Sequence, residues 1–438
     1  VSEEYEDPQS YEEAMSSEYA EQWMQAIQRE LHALKSNGTW KLVKLPKGRK
    51  ALGSKFVFRV KRLASGQFDK FKARLVIQGF QQKEGFDYNE TYAPVVDFTT
   101  VRVALTIAAI FDMEIHQLDV QTAFLNGLLD EEVYMKQPKG FEEEGLEDHV
   151  CKLIKSLYGL KQAARVWFKV LEGDLKRLGF HTVEGIECLF VRNSPDGLIY
   201  ILAHVDDVLV MSTKLSQIKW AKEKLMELYR MTDLGEVKSF LGVEISRDRS
   251  RKLIQLTQGG YIKKILNKFE MDKCKDVKTP AETRLSEESN QGCGKSIPFR
   301  EAVGSLMYLA IRTRPDISSA VGAVARHVEN PTLADWKAVK RILRYIKGTA
   351  SYGLVLGSDT TQDVLLEAYS DADWGGDPED RKSVSGFVVR LCQSTISWRS
   401  IKQKPVALST AEAEYMALSE VFKEITWLKI GRASCRER

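Results

Sequence analysis

Cysteine and histidine are scarce in this sequence, and neither is clustered. The 438 residues include six cysteines and six histidines, and no two cysteines form a CxxC pair. This scatter excludes a disulfide framework and a structural zinc site, both of which need grouped ligands. His149 and Cys151 are close in sequence, but two potential ligands do not make a zinc site. Metal chemistry must therefore come from carboxylates, which favour magnesium or manganese.

Long apolar runs and a strong charge imbalance are also missing. No apolar run approaches the about 18 residues of a membrane span, and the acidic start, VSEEYEDPQSYEEA, has no signal-peptide core. We therefore expect a soluble, intracellular protein without a membrane partner. The net charge of +3 neither requires nor excludes nucleic acid, because what matters is where the charge clusters. The length allows about three domains of roughly 150 residues each.

The first part of the chain predicts helices followed by a basic hairpin. Apolar residues at helical spacing in residues 11–35 predict one or two amphipathic helices. Residues 51–79 predict an alternating strand, the turn ASGQ and a second strand. On the second strand Lys70, Lys72 and Arg74 share one face, because side chains alternate with a period of two. That face is either solvent-exposed or a binding surface, and the pattern alone favours solvent.

The rest of the chain predicts a mixture of helices and strands. Residues 99–127 predict an apolar helix and a short strand that ends near Asp119, and residues 156–180 predict a turn and a helix. Two apolar strands in residues 197–213 meet at an acidic pair. Residues 276–298 are rich in Ser, Gly and Pro and predict a linker. Beyond it we expect helices, and then strands followed by one helix.

The acidic pair lies inside the apolar run ILAHVDDVLVM, where two adjacent charges need a physical reason. Asp206 and Asp207 would repel each other at low dielectric, and a bound divalent cation removes this penalty. Polymerising nucleotides needs two such cations about 4 Å apart, held by aspartates from adjacent strands. Asp119 ends a strand before a chain reversal and could supply another ligand, while Phe124 could select deoxyribose. The alternatives are an exposed acidic turn for the pair and an ordinary core position for Phe124.

Seven short motifs follow one another along residues from about 10 to about 280: NGTWKLVKLPKG, KARLVIQGF, YNETYAPVV, LDVQTAFLNG, SLYGLKQAARVWF, HVDD and FLGVEI. Together they resemble the reverse transcriptase of copia-type LTR retrotransposons. The later motifs YSDADWGGD, RKSVSGFV, ISWRS and KQKPVALSTAEAEYMALSE are similar to the RNase H domain that follows it. The resemblance implies an α+β fold: a right-hand polymerase with fingers, palm and thumb, a helical connection and a partial RNase H-like α/β domain.

The resemblance also implies roles for individual residues. Asp119, Asp206 and Asp207 match the metal-binding aspartates of the polymerase, which would hold two Mg²⁺ or Mn²⁺ ions. The implied partners are an RNA template and a DNA primer, their RNA–DNA hybrid, and deoxynucleoside triphosphates. The other matches are nucleotide-binding residues (Lys72, Arg74, Phe124, Gln162 and Arg165) and the primer grip (Leu241, Gly242 and Val243).

Two departures from the family pattern lie beside the expected site. His204 stands where the family usually has Tyr before VDD, and Ala164 stands where it usually has Pro. Neither change removes a metal ligand. They motivate the alternative that the chain is a catalytically decayed remnant that binds nucleic acid without turnover.

The RNase H-like segment is expected to be incomplete and inactive. Asp371 and Glu414 match metal ligands of that family, whereas Asp373 is interpreted as a turn residue. Glu412 is explained by a capping box with Ser409 at the start of a helix. The family's next ligand, in a segment resembling DNQSA, is missing from the sequence. The last stretch, KIGRASCRER, does not resemble the family and is interpreted as containing a non-native tail.

A second basic surface is predicted on the helix that contains WKAVKRILRYIKG. Cationic residues share one face, and Val339, Leu343 and Ile346 share the other. The basic face could follow the phosphates of a template–primer duplex, or it could simply be solvated. Its members are Lys337, Lys340, Arg341, Arg344 and Lys347.

The sequence therefore predicts an RNA-directed DNA polymerase, a nucleotidyltransferase cut from a longer polyprotein. We expect it to act in cytoplasmic virus-like particles, with nuclear delivery of the product. The oligomeric state is not predicted. The expected units are an N-terminal helical extension (1–38), the reverse transcriptase (39–275), a linker and helical connection (276–365), a truncated RNase H-like domain (366–429) and the tail (430–438).

Overall fold

The computed structural model describes residues 6–62, 68–282, 292, 294, 297–358, 365–377 and 379–436, with the backbone only for residues 62 and 430–436. The helices within this part of the chain are α1 Tyr11–Ser16, α2 Ala20–Ser36, α3 Phe98–Ile110, α4 Ala163–Arg177, α5 Leu215–Leu228, α6 Gly259–Lys268, α7 Phe299–Arg312, α8 Ser318–Ala325, α9 Leu333–Gly348 and α10 Thr410–Arg436. None of these helices combines the length and the apolar character needed to cross a membrane.

The strands of the same part of the chain are arranged in five sheets. They are β1 Trp40–Lys44, β2 Ser54–Arg62, β3 Phe68–Ile77, β4 Glu114–Val120, β5 Tyr134–Lys136, β6 His149–Leu153, β7 His181–Val183, β8 Ile186–Ser194, β9 Gly197–His204, β10 Asp207–Ser212, β11 Met231–Glu236, β12 Ser239–Phe240, β13 Val243–Asp248, β14 Leu253–Thr257, β15 Leu354–Gly357, β16 Leu366–Asp373, β17 Val384–Leu391 and β18 Ser394–Lys402.

A six-stranded antiparallel sheet, in the order β11-β4-β10-β9-β8-β7, lies at the centre of the protein. One face packs against α4 and α5, where Leu118, Ile201 and Val208 contact a core that includes Trp167 and Ile218. The other face packs against a core that contains α3. Because helices cover both faces, β9 and β10 read as continuous apolar runs. The predicted pair of apolar strands that meet at the acidic pair is confirmed.

The basic hairpin predicted in residues 51–79 is confirmed as β2 and β3, and the turn ASGQ lies outside the described residues. The predicted N-terminal helices are α1 and α2. The ring of Trp23 on α2 packs on the hairpin, 5.2 Å from the ring centroid of Phe58 and 4.5 Å from that of Phe71. These edge-to-face contacts add to the burial of apolar area and fix α2 against one face of the hairpin. The three-stranded sheet β1-β6-β5 adjoins this unit.

A four-stranded sheet, β12-β13-β14-β15, follows the central sheet. The sequence analysis did not predict β15, which returns from far along the chain to pair with β14. The two backbones approach closely, because a Cβ placed on Gly353 would lie 2.0 Å from the carbonyl oxygen of Leu256. Helix α6 packs with α7, α8 and α9 in one core. Strand pairing (β14 with β15) and helix packing (α6 with α7, α8 and α9) therefore both cross the expected boundary between residues 275 and 276.

The C-terminal part consists of the antiparallel sheet β16-β17-β18 and helix α10, as the predicted order of strands and one helix required. Buried hydrogen bonds attach it to the helices beside the central sheet. Arg102 on α3 donates to the carbonyl of Ile396 at 2.5 Å, and Nε1 of Trp398 donates to the carbonyl of Ala310 at 2.9 Å. Such bonds are costly to leave unmade once the groups are buried.

An ion-pair cluster makes a second attachment, between the end of α8 and the C-terminal sheet. Oδ2 of Asp377 lies 2.5 Å from Arg326 and 2.7 Å from Lys402. Burial tends to raise the pKa of Asp377, but the bonds to these two cations hold it well below its usual value. A carboxyl whose folded pKa is lowered stabilises the protein above its unfolded pKa, and this contribution is lost as the pH falls through the folded pKa.

Replacing this carboxylate, Asp377→Asn, is expected to lower the free energy of unfolding by about 2 kcal/mol near neutral pH, because charge-assisted hydrogen bonds are lost. The loss should shrink as the pH falls below about 4, where the unfolded carboxyl becomes protonated. Urea unfolding near neutral pH and near pH 3 measures both effects. Asp272→Asn, at an exposed position, is the control. A destabilisation that does not depend on pH would contradict the conclusion that the ionised carboxylate of Asp377 stabilises the protein through its two cationic partners.

The basic face predicted on α9 is not a free surface. Nη2 of Arg341 donates to Oγ1 of Thr279 at 2.9 Å, and Nε of Arg344 donates to the carbonyl of Lys275 at 2.7 Å. Lys347 also bonds a backbone carbonyl of the segment that follows α6. Three of the five cations, Arg341, Arg344 and Lys347, therefore hold a polar segment against the helix. Lys337 is exposed and Lys340 is half-buried, so the two alternatives, a phosphate-tracking face and a solvated one, stay predictions for this outer part of the face.

Candidate active site

A two-residue turn, Val205 and Asp206, joins β9 to β10. The first aspartate of the acidic pair therefore lies in the turn, and the second, Asp207, is the first residue of β10. His204 and Asp207 face each other as the last pair of the ladder. Val205 has a φ of +55°, which β-branched residues rarely adopt. Its carbonyl accepts a hydrogen bond of 2.6 Å from Nε1 of the buried Trp167 on α4. The hydrogen bond from Trp167 thus holds the turn in a strained backbone conformation, as is common at functional sites.

Asp119 lies directly opposite Asp207 on the neighbouring strand β4. Residues that face each other in an antiparallel pair project their side chains from the same side of the sheet. The amide of Val120 donates to the carbonyl of Asp206 at 2.8 Å, which joins β4 to the turn. The strand register therefore places the backbones of these three aspartates, which are distant in sequence, at the same end of the sheet.

Negative charge accumulates at this end of the sheet. Burial raises the pKa of Asp119, and the neighbouring Asp206 raises it further. Lys72, Lys61 and Arg74 act against this shift. The carboxylates therefore repel one another and lie within the field of three basic side chains.

Asp207 is held by a residue that the sequence analysis missed. Nε2 of Gln117 donates to Oδ1 of Asp207 at 3.1 Å. Burial raises the pKa of Asp207, and the hydrogen bond from Gln117 partly offsets this effect. Gln117 precedes Asp119 by two residues on a strand, so the period of two could have placed it on the same face.

The strand β3 brings its basic residues towards the aspartates. Burial lowers the pKa of Lys72, and the neighbouring Arg74 and Lys61 lower it further, whereas Asp119 acts in the opposite direction. Lys70 shares the face but is exposed. The two alternatives for this face therefore apply to different residues: its outer end is solvated, and Lys72 is half-buried beside the aspartates.

Phe124 is half-buried and packs edge-on against Tyr158, with ring centroids 4.8 Å apart. The guanidinium of Arg74 lies over the ring of Tyr158, 5.0 Å from its centroid. Burial raises the pKa of Tyr158, so its hydroxyl stays protonated near neutral pH. Tyr158 was missed in the sequence analysis although it lies in the motif SLYGLKQ. The two rings connect the basic strand to the short turn that carries Phe124.

Gln162 and Arg165 are engaged within the protein. Gln162 is buried, and its Nε2 donates to the carbonyl of Asp87 at 2.8 Å. Nη1 of Arg165 donates to the carbonyl of Tyr92 at 3.0 Å, and its guanidinium also pairs with Glu90. Both side chains hold the segment that contains the motif YNETYAPVV against α4. Direct contact with a nucleotide would require these bonds to break.

The turn between β12 and β13 contains Leu241 and Gly242, with φ values of +49° and +78°. The hydroxyl of Tyr308 on α7 donates to the carbonyl of Leu241 at 2.8 Å. A Cβ on Gly242 would lie 2.2 Å from the same hydroxyl oxygen, so the close approach requires glycine. Val243, which follows, is buried in the core and offers no surface.

The donor set at the hairpin fits a divalent cation in kind, because Asp119, Asp206 and Asp207 supply the hard oxygen ligands that magnesium and manganese prefer. Among the described residues, however, no group of three or more His, Cys, Asp or Glu side chains is gathered closely enough to hold an ion. The backbone register thus brings the three aspartates to one end of the sheet, but their carboxylates are not gathered around a single point.

The two residues matched to an RNase H site lie close together in the C-terminal part. Glu414 on α10 accepts a hydrogen bond of 3.3 Å from the amide of Ala372, the residue after Asp371 on β16. One half of the predicted capping box is confirmed, because Oγ of Ser409 accepts from the amide of Glu412 at 3.2 Å. The carboxylate of Glu412 reaches back to the amide of Leu408, one residue before Ser409. Asp373 is the last residue of strand β16, where it pairs with Val384, so its interpretation as a turn residue is wrong.

Aspartates at a hairpin tip and a third on the adjoining strand, facing a basic strand, supply the donor types that metal-dependent nucleic-acid polymerases use. The family comparison gives the class: the reverse transcriptase (RNA-dependent DNA polymerase) family matches residues 37–283, more than half of the chain. The chain belongs to this family. The matched region contains the central sheet, the basic hairpin and the turn at Leu241.

The curated relatives extend the similarity beyond that region. A retrovirus-related Pol polyprotein from transposon TNT 1-94 of Nicotiana tabacum is 43% identical over 432 residues, 97% of this chain and 32% of that protein. The Pol polyprotein from transposon RE2 of Arabidopsis thaliana is 38% identical over 411 residues, 93% of this chain and 28% of that protein. A putative transposon Ty5-1 protein of Saccharomyces cerevisiae is 36% identical over 311 residues, 70% of this chain and 100% of that protein. The chain spans less than a third of the length of the two plant polyproteins.

Proposed function

We propose that this chain is the reverse transcriptase part of a copia-type retrotransposon Pol polyprotein and that it extends a primer on an RNA template with deoxynucleotides. One observation carries the proposal: Asp119 lies opposite Asp207, and Asp206 occupies the adjoining turn. Membership of the reverse transcriptase family supports the reaction class. The names of the plant relatives, which are Pol polyproteins from transposons, support the origin.

The parts of a right-hand polymerase are assigned as follows in this proposal. The six-stranded sheet is the palm, and the basic hairpin with the β1-β6-β5 sheet forms the fingers. The β12–β15 sheet and α6 form the thumb with its primer grip. The C-terminal sheet and α10 are the RNase H-like part, whose incompleteness stays a prediction from the sequence.

Asp119, Asp206 and Asp207 would hold two Mg²⁺ or Mn²⁺ ions. When bound, the ions would lower the pKa of the attacking 3′ hydroxyl and stabilise charge on the leaving pyrophosphate. The protein contributes rigid strands that hold the carboxylates in register, and Gln117 orients one of them through a bond of 3.1 Å.

The remaining assignments concern the substrates. Lys72 and Arg74 would bind the triphosphate, since half-buried cations act on phosphate more strongly than exposed ones. Leu241 and Gly242 would present their backbone to the primer end. Gln162, with Arg165, would act by positioning the segment that it holds against α4.

Extension of oligo(dT) on poly(rA) tests the proposed function. The purified chain is expected to incorporate dTTP when Mg²⁺ or Mn²⁺ is supplied, and the reaction should stop on chelation. Binding of the duplex without incorporation under either metal would contradict the proposal and support the alternative of a decayed nucleic-acid-binding remnant. A polymerase of known activity on the same substrate controls for the primer and template.

Phe124→Val is expected to reduce the preference for dTTP over UTP by about tenfold or more, on the scale of a lost steric contact of roughly 1–3 kcal/mol. The ring would otherwise occupy the space that a 2′ hydroxyl needs. The measurement is the ratio of kcat/KM for the two nucleotides on poly(rA)·oligo(dT).

Phe124→Tyr is the matched control, because it keeps the ring and its edge-on contact with Tyr158. This variant should keep the selectivity of the unmodified protein. An unchanged ratio in the valine variant, with both rates reduced equally, would assign Phe124 to the core and not to sugar selection.

A further inference from the structure

A cationic side chain that has no anionic partner among the described residues lies between the aspartate hairpin and the turn at Leu241. Arg312 ends α7, and its guanidinium carbon is 4.4 Å from the ring centroid of Phe98 on α3. It is also 5.5 Å from the ring centroid of Tyr308, one helical turn earlier on α7. Aromatic faces attract cations, so the two rings fix the position of the guanidinium without neutralising it.

The polar atoms of this guanidinium are unsatisfied. Nε and Nη1 of Arg312 are buried, and neither has a hydrogen-bond partner within the part of the chain that the structure describes. Its nearby charged neighbour Arg102 is also a cation, lying over the same Phe98 ring at 5.4 Å. Buried donors are nearly always paired, so an unpaired and repelled guanidinium requires an explanation. The contacts with the two rings do not explain the buried position, because they leave the N–H groups of Nε and Nη1 without acceptors.

The guanidinium adjoins the elements that would meet a primer end. His204, opposite Asp207 on the hairpin, lies within the electrostatic influence of Arg312, and its buried Nδ1 likewise has no hydrogen-bond partner among the described residues. Tyr308, whose ring packs on the guanidinium, donates its hydroxyl to the carbonyl of Leu241. Arg312 therefore links the aspartate hairpin to the turn assigned to the primer grip.

We propose that Arg312 binds a backbone phosphate of the primer strand close to its 3′ end. The inference rests on the proposed function and extends it to a residue of α7, outside the region matched by the family. Nε and a terminal nitrogen of arginine form a fork that matches two phosphate oxygens. The site selects an anion because a further cation would be repelled and a neutral group would leave the charge unpaired.

Binding requires a local rearrangement. Arg312 as a residue is partly exposed, whereas Nε and Nη1 are closed off in the free protein. The guanidinium therefore turns towards the phosphate as the duplex enters, and it exchanges two unsatisfied donors for two charge-assisted bonds. The free protein carries this side chain at a cost in stability, which the bound duplex removes.

The test is a comparison of Arg312→Met with the unmodified chain, using an RNA–DNA hybrid with a blocked primer end, in the presence of chelator. Affinity at low salt is expected to fall about tenfold, the scale of one charge-assisted contact. The slope of log affinity against log salt should become less negative by about 0.7–0.9, because one fewer counterion is released. The urea midpoint of the free variant should be equal to or higher than that of the unmodified chain.

Two further variants separate charge from position. Arg300→Met removes an exposed arginine from the other end of the same helix and should leave the salt slope unchanged. Arg312→Lys keeps the charge but loses the fork, so the slope should remain while the affinity falls severalfold. A Met variant with a lower urea midpoint and an unchanged slope would overturn the proposal and make Arg312 a purely structural residue.

Primers with a single uncharged methylphosphonate linkage identify which phosphate is bound. The unmodified chain should lose affinity when a linkage near the 3′ end is neutral, and Arg312→Met should be insensitive at that same linkage. Equal sensitivity of both proteins at every linkage, or a response only to template linkages, would overturn the assignment. Because chelator and a blocked primer are used, these results do not depend on extension. A chain that fails to polymerise, but whose sensitivity to a neutral linkage near the 3′ end disappears in Arg312→Met, would refute the proposed function and leave this inference standing.

Discussion

Replacement of Asp206 by asparagine is expected to slow primer extension on the order of 10³-fold, which corresponds to about 4 kcal/mol of transition-state stabilisation. Asparagine keeps the size of the side chain and one oxygen but removes the charge that would bind a divalent cation. The free energy of unfolding should stay the same or rise, because Asp206 and Asp119 repel each other in the free protein. A loss of activity without a loss of stability is the signature of a site residue.

The measurement is the single-turnover rate of dTTP addition on poly(rA)·oligo(dT), with urea unfolding of the same preparation. Asp196→Asn is the matched control, since Asp196 lies exposed in the turn between β8 and β9 of the same sheet. The control should extend primers at the unmodified rate. An Asp206→Asn variant that retains more than about a tenth of the rate would show that the hairpin does not hold the reacting centre.

Arg102→Met is expected to lower the free energy of unfolding by about 3–5 kcal/mol, the scale for removing one member of a buried charged network. Arg102 is 4% exposed. Its guanidinium donates to the carbonyls of Ile396, Ile311 and Arg312 at 2.5, 3.0 and 3.1 Å, and to Oγ1 of Thr99 at 3.2 Å. Methionine fills a similar space but leaves those carbonyls buried without donors.

The same substitution should also loosen the C-terminal part. Arg102 belongs to α3, whereas its acceptors lie on α7 and β18, so one side chain joins three elements. Burial lowers the pKa of Arg102 to about 9, which leaves it charged near neutral pH. Urea unfolding measures the loss, and limited proteolysis of β16–α10 should accelerate.

Arg251→Met, at an exposed position in the β13–β14 turn, is the control for removing an arginine. It should change the free energy of unfolding by no more than about 0.5 kcal/mol. A loss below about 1 kcal/mol for Arg102→Met would mean that water reaches the freed carbonyls.

Local pattern was sufficient to predict much of the fold. The hairpin β2–β3, the helix α9 and the apolar strands β9 and β10 follow from side-chain periodicity, because neighbouring residues determine which face is apolar. Strand β15 could not be predicted in this way. Its four residues pair with β14, which lies several helices earlier in the chain, so no local pattern shows the pairing. The need for glycine at position 353 likewise comes from the close approach of the Leu256 carbonyl.

The residues of the candidate site also fall into those that the sequence identifies and those that only the structure reveals. Adjacent charges within an apolar run identified Asp206 and Asp207 without any structure, since isolated burial of charge is unfavourable. Gln117, which bonds Asp207, was identified only from the register of neighbouring strands, and Tyr158 only from the packing of its ring on Phe124. Gln162 was identified from its motif, but only the structure shows that its amide is already engaged.

Chemical identity and period were thus determined by the sequence alone: which side chains carry charge, which strands are buried on both faces, and which family the motifs resemble. The tertiary structure decided which cations remain available. The arginines of α9 are bonded to the segment after α6, whereas Arg312 lies against two rings and pairs with no acid in the part of the chain that the structure describes. The physical reason is that charge is a property of one residue, but its neutralisation depends on partners that folding brings from far along the chain.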